Sequence, residues 1–435
     1  MCTVEMQIAQ RAKNYPKEAL TNLHEFIDEG MLTESFYMMN EKSAPGVDKQ
    51  TWKQYEEQGK QRIPELISSF KNGSYRAPFV RRVYIPKEGG KAGDKRPLGL
   101  PTIEDKLLAT AVNRILTPVY EQIFYRSSYG FRPGKSQHQA LEEIYQQVSI
   151  NGMRYIIDAD MKNYFGSIDH QKLREFLDLR IKDGVIRRMI DKWLKAGILN
   201  EGQVEYPKEG TPQGSTISPI LSNVYLHYVL DEWFTEQIRP LLKGKSFLVR
   251  FADDYVMGFT NEEDAKRVMK VLPQRLSKYG LTLHPEKTRL IDLDIKTKKG
   301  GHEKTTFDFL GFTHYIGKSL KGRRILKRKT SSKKMRLALI RMNKWLKENK
   351  DSLKIVELIA KLNQKLGGHY SYYGITFNIR GLYVYYEQVK KLLRKWLGRR
   401  GGKNKWTWER VDKLITEWIP LSKPRIYHSH LKAKP

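Results

Sequence analysis

Two adjacent carboxylates, Asp253 and Asp254, interrupt an otherwise apolar stretch. Before them Phe247, Val249 and Phe251 alternate with other residues, and after them Tyr255, Met257 and Phe259 alternate again. Period-two alternation on both sides predicts two strands with the acids at the bend between them. An Asp at a bend is ordinarily turn chemistry, its carboxylate bonding nearby backbone. Here the apolar flanks would hold two carboxylates rigidly at the tip of a buried hairpin. Fixed carboxylates repel each other unless a cation lies between them, and hard oxygen ligands suit Mg2+. A third carboxylate and a cradle for phosphates would complete a metal-dependent site.

The rest of the chain offers candidates for both. Tyr155, Ile156 and Ile157 form a compact apolar run that ends in Asp158-Ala-Asp160, so a buried strand would deliver acids at its end, Asp158 and Asp160 on one face. An aromatic pair, Tyr164-Phe165, follows. Arg81 to Lys87 reads as a strand, succeeded by Glu88-Gly-Gly-Lys-Ala-Gly-Asp-Lys-Arg96 and a return through Pro97 to Pro101. A Gly-rich basic hairpin can fold over a triphosphate, offering backbone N–H groups and cations together; taken alone it is as readily a solvated tip. Gly210-Thr-Pro-Gln213-Gly-Ser215 opens a helix through Leu221, Val224, Tyr225 and Tyr228. Such a small-residue loop suits close approach by a nucleotide, or is an ordinary helix entry.

The elements that must position these groups follow from periodicity. Helices are predicted within residues 1–40 and over Trp52–Phe70, Ile103–Phe124, Lys172–Trp193 and Glu262–Ser277. Short strands are predicted from Gly280, in the segment that ends at Lys287, and over Phe307–Phe312, with a basic linker over Lys318–Lys334. Beyond lie three apolar stripes at helical spacing: Met335, Leu339, Met342, Leu346; then Ile355, Ile359, Leu362, Leu366; then Leu382, Val389, Leu393, Trp396. Three amphipathic basic helices make a bundle.

Charge is the strongest compositional signal. The net charge is +31, and residues 315–435 carry 32 Lys and Arg against 7 Asp and Glu, so +25 of it lies there. Basic surface interleaved with aromatics points to nucleic acid. With Cys2 as the only cysteine, a disulfide framework and a cysteine-ligated zinc site, as in an HNH nuclease, are excluded. The sequence shows no signal-peptide pattern and no apolar run near the ~20 residues needed to span a bilayer, so the expectation is a cytoplasmic protein without membrane partners.

The order of these pieces resembles the motif series of a reverse transcriptase, and more narrowly the group II intron reverse transcriptase/maturase family of bacterial type. The residues that carry it are Pro45-Gly-Val-Asp48, Ile85-Pro-Lys87, Ser128-Tyr-Gly-Phe-Arg-Pro133, Asp160 with Tyr164-Phe165, Gly210-Thr-Pro-Gln-Gly214, Phe251-Ala-Asp-Asp254 and Leu310-Gly-Phe312. The resemblance implies an α+β fold, a right-hand polymerase with a basic helical-bundle thumb. It divides the chain into an N-terminal helical extension (1–42), fingers and palm (43–314), a thumb or maturase domain (315–400) and a basic tail (401–435). It implies two Mg2+ ions held by Asp160, Asp253 and Asp254. Lys87, Arg96, Gln213 and Lys287 would contact the nucleotide, and Phe165 or Tyr164 would bar a ribose 2′-hydroxyl. Lys327, Arg328, Lys329, Tyr370, Tyr372 and Tyr373 would contact nucleic acid. Partners implied are an RNA template, a DNA primer, deoxynucleoside triphosphates and group II intron RNA. Two departures stand out: Phe251 where the family most often has Tyr, and Gly166 where it more often has Asp. Two other readings remain, a splicing-only RNA-binding maturase and a free-standing relative serving DNA repair or phage defence. The sequence leaves the oligomeric state and the role of Asp158 open.

Overall fold

The computed structural model describes residues 3–86, 93–200, 202–206, 209–211, 214–294, 305–400 and 406–429. Lys87 and Gln213 therefore lie outside the described residues. The chain forms two compact units, one of residues 1–140 and 155–290, the other of residues 141–154 and 291–435. The sequence places its boundary at 314/315 instead.

In the first unit, α1 (Thr3–Asn14), α2 (Glu29–Met38) and α3 (Trp52–Asn72) precede a strand pair, β1 (Val80–Pro86) and β2 (Lys95–Leu100). Helix α3 starts in a reciprocal capping box between Thr51 and Gln54 and stops at Gly73, whose φ of 81° suits glycine. Helix α4 (Ile103–Tyr120) is buried on nearly every face, and its buried Asp105, Lys106 and Arg114 are each hydrogen-bonded, to Trp193, Ser43 and Ser35 among others. Residues 1–42 are not a separate extension: Ile8, Ala12 and Leu32 are fully buried in the same core as α4, and Arg114 of α4 bonds Glu5 and Glu34, both at 2.8 Å.

At α5 (Gln137–Ser149) the chain passes to the second unit and returns at β3 (Tyr155–Ala159). The helix expected over Lys172–Trp193 is two, α6 (His170–Asp178) and α7 (Gly184–Lys195). Asp183 interrupts it because its carboxylate accepts from the backbone of Val185 and Ile186 at 3.0 Å, capping a new helix. β4 (Ile198–Asn200) and β5 (Gln203–Glu205) extend the first sheet, in the order β2-β1-β4-β5. Then come α8 (Ser218–Leu226), the hairpin β6 (Ser246–Phe251) and β7 (Asp254–Phe259), α9 (Glu262–Ser277) and β8 (Arg289–Asp292). The second sheet has the order β6-β7-β3-β8. The strand expected from Gly280 is a single bridge, Met161 to Leu283, and regular pairing resumes only at Arg289.

The second unit begins with a three-stranded sheet, β9 (Phe307–Phe309), β10 (Phe312–Lys318) and β11 (Arg324–Thr330), in the order β11-β10-β9. The basic stretch read as a linker is thus largely a hairpin. Its charges masked the strand signal, since Leu320, Ile325 and Leu326 are the only apolar side chains among them. Helices α10 (Ser332–Asn349), α11 (Ile355–Tyr373) and α12 (Ile379–Leu397) follow, with Met342, Leu346, Ile359, Leu362, Leu366, Leu382, Val389 and Leu393 buried together. The expected tail contributes α13 (Trp408–Lys413), and Val411, Leu414, Ile415 and Leu421 join the same core. Beyond it, the backbone of Tyr427 and His428 bonds Gly374 at 2.8 and 2.9 Å. Among the described residues no helix is long and apolar enough to cross a membrane.

Candidate active site

The two acidic elements meet because β3 and β7 pair antiparallel. Ala159 lies opposite Tyr255 and Asp158 opposite Val256, so the end of β3 that delivers Asp160 reaches the start of β7, where Asp253 and Asp254 stand. β6 and β7 are joined by two residues only, since Phe251 pairs with Asp254. Such a turn needs a positive φ at its first residue to match strand twist. Ala252 takes it, at φ 57°. This backbone is unusual for a residue with a Cβ and has to be held from outside.

The Ser128–Pro133 segment holds it. The backbone of Arg250 accepts from Tyr129 and donates to Ser127, both at 2.8 Å. Gly130 packs so closely that a Cβ there would lie 2.2 Å from the Ala252 nitrogen. Arg132 fixes the segment in turn, gripping Glu121 with two nitrogens at 2.8 and 2.9 Å and donating to the carbonyls of Tyr125 and Ser128.

Crowded carboxylates shift as expected. Asp254 reaches solvent with its side chain, yet desolvation by the protein atoms around its carboxyl, with repulsion from Asp253, Asp160 and Asp158, raises its pKa to about 7; Lys287 opposes the rise. Desolvation and Asp160 raise Asp253, against Arg96 and Arg250. This excess of negative charge fits a cation. Among the described residues no three His, Cys, Asp or Glu side chains close into a ready-made cage. Mg2+ does not need one, because it keeps waters and substrate phosphates among its ligands and takes one or two carboxylates.

Two backbone tethers from 282–288 serve Asp160: Lys162 N–H donates to Thr282 at 2.8 Å and His284 N–H donates to the Asp160 carbonyl at 2.7 Å. They bring the Lys287 ammonium to 2.5 Å from the Asp160 carboxylate. Asp158, whose part the sequence left open, pairs with Arg289 at 3.2 Å. Arg96 is exposed on β2 opposite Ile85.

The aromatic pair divides. Tyr164 is buried, and its hydroxyl donates to the Ser222 carbonyl at 2.8 Å; Phe165 is half-exposed. The Gly210-Thr211 loop crosses directly behind them. Gly210 donates to Ile168 and Thr211 to Phe165, both at 2.8 Å, and a Cβ on Gly210 would meet the Gly166 Cα at 2.8 Å. That close approach gives a physical reason for the glycine at 210, while a Cβ on Gly166 would meet the Asn163 side chain at 2.4 Å. Farther on, Gly214 (φ 105°) lies over β2, where a Cβ would stand 2.6 Å from the Gly99 carbonyl oxygen.

Two residues expected to contact nucleic acid are corrected. Arg328 is wholly buried, because alternation along β11 puts it on the inner face with Leu326 and Thr330. It lies against Glu142 at 3.4 Å and the Tyr145 ring, and burial pushes its pKa down to about 10. Tyr370 is also a core residue. Tyr372 and Tyr373 are half-buried and pack on Phe312, and the Tyr372 hydroxyl donates to the Leu310 carbonyl at 3.0 Å. Lys327 is half-exposed and Lys329 exposed. The residues that sequence reasoning missed are Asn223, Asp231 and Arg250. The available signal was a cation, Arg250, inside an otherwise apolar strand.

A sheet that brings one acid-ended strand against an Asp-Asp turn gathers carboxylates as a metal-dependent site requires. Residues 85–314, just over half of the chain, match the family "Reverse transcriptase (RNA-dependent DNA polymerase)", and residues 334–414 match "Group II intron, maturase-specific domain". The chain belongs to the reverse transcriptase family and carries a group II intron maturase-specific domain. It is 43% identical over 167 residues to the group II intron-encoded protein LtrA of Lactococcus lactis subsp. cremoris, covering 38% of this chain and 27% of that protein. It is 37% identical over 217 residues to an uncharacterized 91 kDa protein in the cob intron of Schizosaccharomyces pombe, covering 48% and 26%. Protein YkfC of Escherichia coli is 33% identical over 221 residues, covering 44% and 56%. The chain spans about a quarter of the length of the first two relatives.

Proposed function

We propose that this chain is an RNA-directed DNA polymerase that extends a DNA primer on an RNA template with deoxynucleoside triphosphates, and that it also binds group II intron RNA as a maturase. The observation that carries this reading is the meeting of Asp160 with Asp253 and Asp254 across the β3–β7 pair. Asp160 and Asp253 would hold Mg2+, two ions in all, with Asp254 as an outer ligand. Bound there, Mg2+ supplies the Lewis acid that activates the primer 3′-hydroxyl and takes up charge on the departing pyrophosphate. Among the described residues, Arg96 and Lys287 are the cations that meet the triphosphate, and Lys287 gives up its hold on Asp160 to do so. Phe165, the accessible ring of its pair, excludes a ribose 2′-hydroxyl, while Tyr164 anchors it from the core. In the second unit the exposed cations Lys321, Arg323 and Lys329 bind RNA phosphates. An intron partner is supported by the maturase-specific match and by relatives named for introns.

Primer extension and RNA binding, measured on the same preparations, test the reading. Asp253→Ala and Asp160→Ala should each lower Mg2+-dependent extension by two orders of magnitude or more, the scale of several kcal/mol of lost charge stabilisation. RNA affinity should stay within a few-fold, since it comes from distributed charge. Phe165→Ala should raise ribonucleotide relative to deoxyribonucleotide use in the same assay, by about tenfold. RNA binding without any extension by the unsubstituted protein would leave the splicing-only reading in possession.

A further inference from the structure

Arg250 is wholly buried, together with Arg328 the bulkiest such side chain among the described residues, and stands one strand residue from the Ala252-Asp253 turn. Its guanidinium spends its donors on three partners. Nε and one terminal nitrogen reach the Asp231 carboxylate at 2.8 and 2.5 Å, and the other terminal nitrogen reaches Asn223 Oδ1 at 2.9 Å and the Ala252 carbonyl at 3.0 Å. Asn223 is itself oriented, because its amide donates to the Gly130 carbonyl at 2.8 Å. Asp231 is as deeply buried as Arg250, with both side chains at 0% exposure.

Asn223 and Asp231 come from one continuous helical run. Residues eight apart on a regular α-helix are rotated by about 80° from one another. This run widens to i→i+5 bonding over His227–Asp231, directly after α8, which reduces that offset and lets both side chains address Arg250. The turn is thus held on two sides: Gly130 presses on the Ala252 nitrogen, and Arg250 takes the Ala252 carbonyl.

A wholly buried ion pair is a poor device for stability alone, because an apolar pair of similar volume often serves as well. What an apolar pair cannot supply is a directed donor for the carbonyl of the left-handed residue just before Asp253. We propose that Asp231 and Arg250 are positioning residues for nucleotidyl transfer: Asp231 orients Arg250, and Arg250 fixes the Ala252 carbonyl and so aims the carboxylate of Asp253. Neither touches substrate. The inference rests on the polymerase reading of this site.

Two variants separate aiming from folding. Arg250→Lys leaves a cation for Asp231 but loses the fork. Arg250→Met combined with Asp231→Leu removes both charges together and leaves no buried ion unpaired. Thermal melting, steady-state primer extension and binding of Mn2+ as a probe, followed by electron paramagnetic resonance, are compared with the unsubstituted protein. The expected result is a native melting transition in at least one variant, kcat lowered about a hundredfold, KM for the nucleotide changed less than threefold, and Mn2+ bound about tenfold more weakly. A folded variant with parental Mn2+ affinity and extension within threefold of the parent would overturn the proposal. Loss of the native transition in both would overturn it equally, because the pair would then hold the fold rather than the turn. Absence of extension by the unsubstituted protein would sink the polymerase reading, while the Mn2+ measurement would still decide the role of the pair.

Discussion

Two tight turns, one in each unit, use the same backbone device for different ends. Ala252-Asp253 joins β6 to β7 and Leu310-Gly311 joins β9 to β10, each a two-residue loop between directly paired strand ends. Each opens on a non-glycine residue in the left-handed region, at φ 57° for Ala252 and 48° for Leu310. Each has that residue's carbonyl held by a side chain at 3.0 Å, from Arg250 in the first case and Tyr372 in the second. They differ at the second turn position. In the second unit this is Gly311 at φ 81°, which accepts the geometry at no steric cost, and a neutral hydroxyl suffices to hold the loop. In the first it is Asp253, a carboxylate crowded by Asp160 and Asp254, and the support is a charged, wholly buried network. The strength of the support follows the charge the turn has to carry.

Crowding the first turn should separate the two most widely. Gly130→Ala sets a Cβ against backbone at 2.2 Å, where no flexible side chain can yield. Extension should fall at least about a hundredfold, with the protein's RNA affinity within a few-fold; equal losses of both would mean that the turn is not the element disturbed. A smaller effect is expected from charge on the β10–β11 hairpin. Replacing Lys321, Arg323 and Lys329 with Gln should weaken RNA binding and lower the log–log salt slope by about 0.7–0.9 for each phosphate that is no longer neutralised. Arg328→Met, a buried position on the same strand, should leave the slope unchanged and move only the melting temperature. The smallest expected effect tests the neutral support. Tyr372→Phe removes one hydroxyl from Leu310 and should cost about 0.5–1.5 kcal/mol of stability in denaturant unfolding, with the salt slope unaltered.

Local pattern was enough to place the elements that repeat. Alternation put β6 and β7 on either side of the acids, the Tyr155–Ile157 run announced β3, and Glu262–Ser277 matches α9 end to end. Apolar stripes at helical spacing likewise predicted α10, α11 and α12, because periodic burial is written locally into the chain. Long-range packing settled the rest. The pairing of β3 with β7, which brings Asp160 to Asp253, depends on hydrogen bonds between segments almost a hundred residues apart. Only packing separated Tyr164 from Phe165, since one ring of an adjacent pair goes inward and composition does not say which. The same holds for charge. Lys327, Arg328 and Lys329 read alike as three consecutive cations, yet the strand's two faces leave Lys329 in water and put Arg328 in the core. Arg250 is the strongest case: its meaning lies in Asp231, Asn223 and the Ala252 carbonyl, and a linear reading cannot place a cation against partners that folding brings to it.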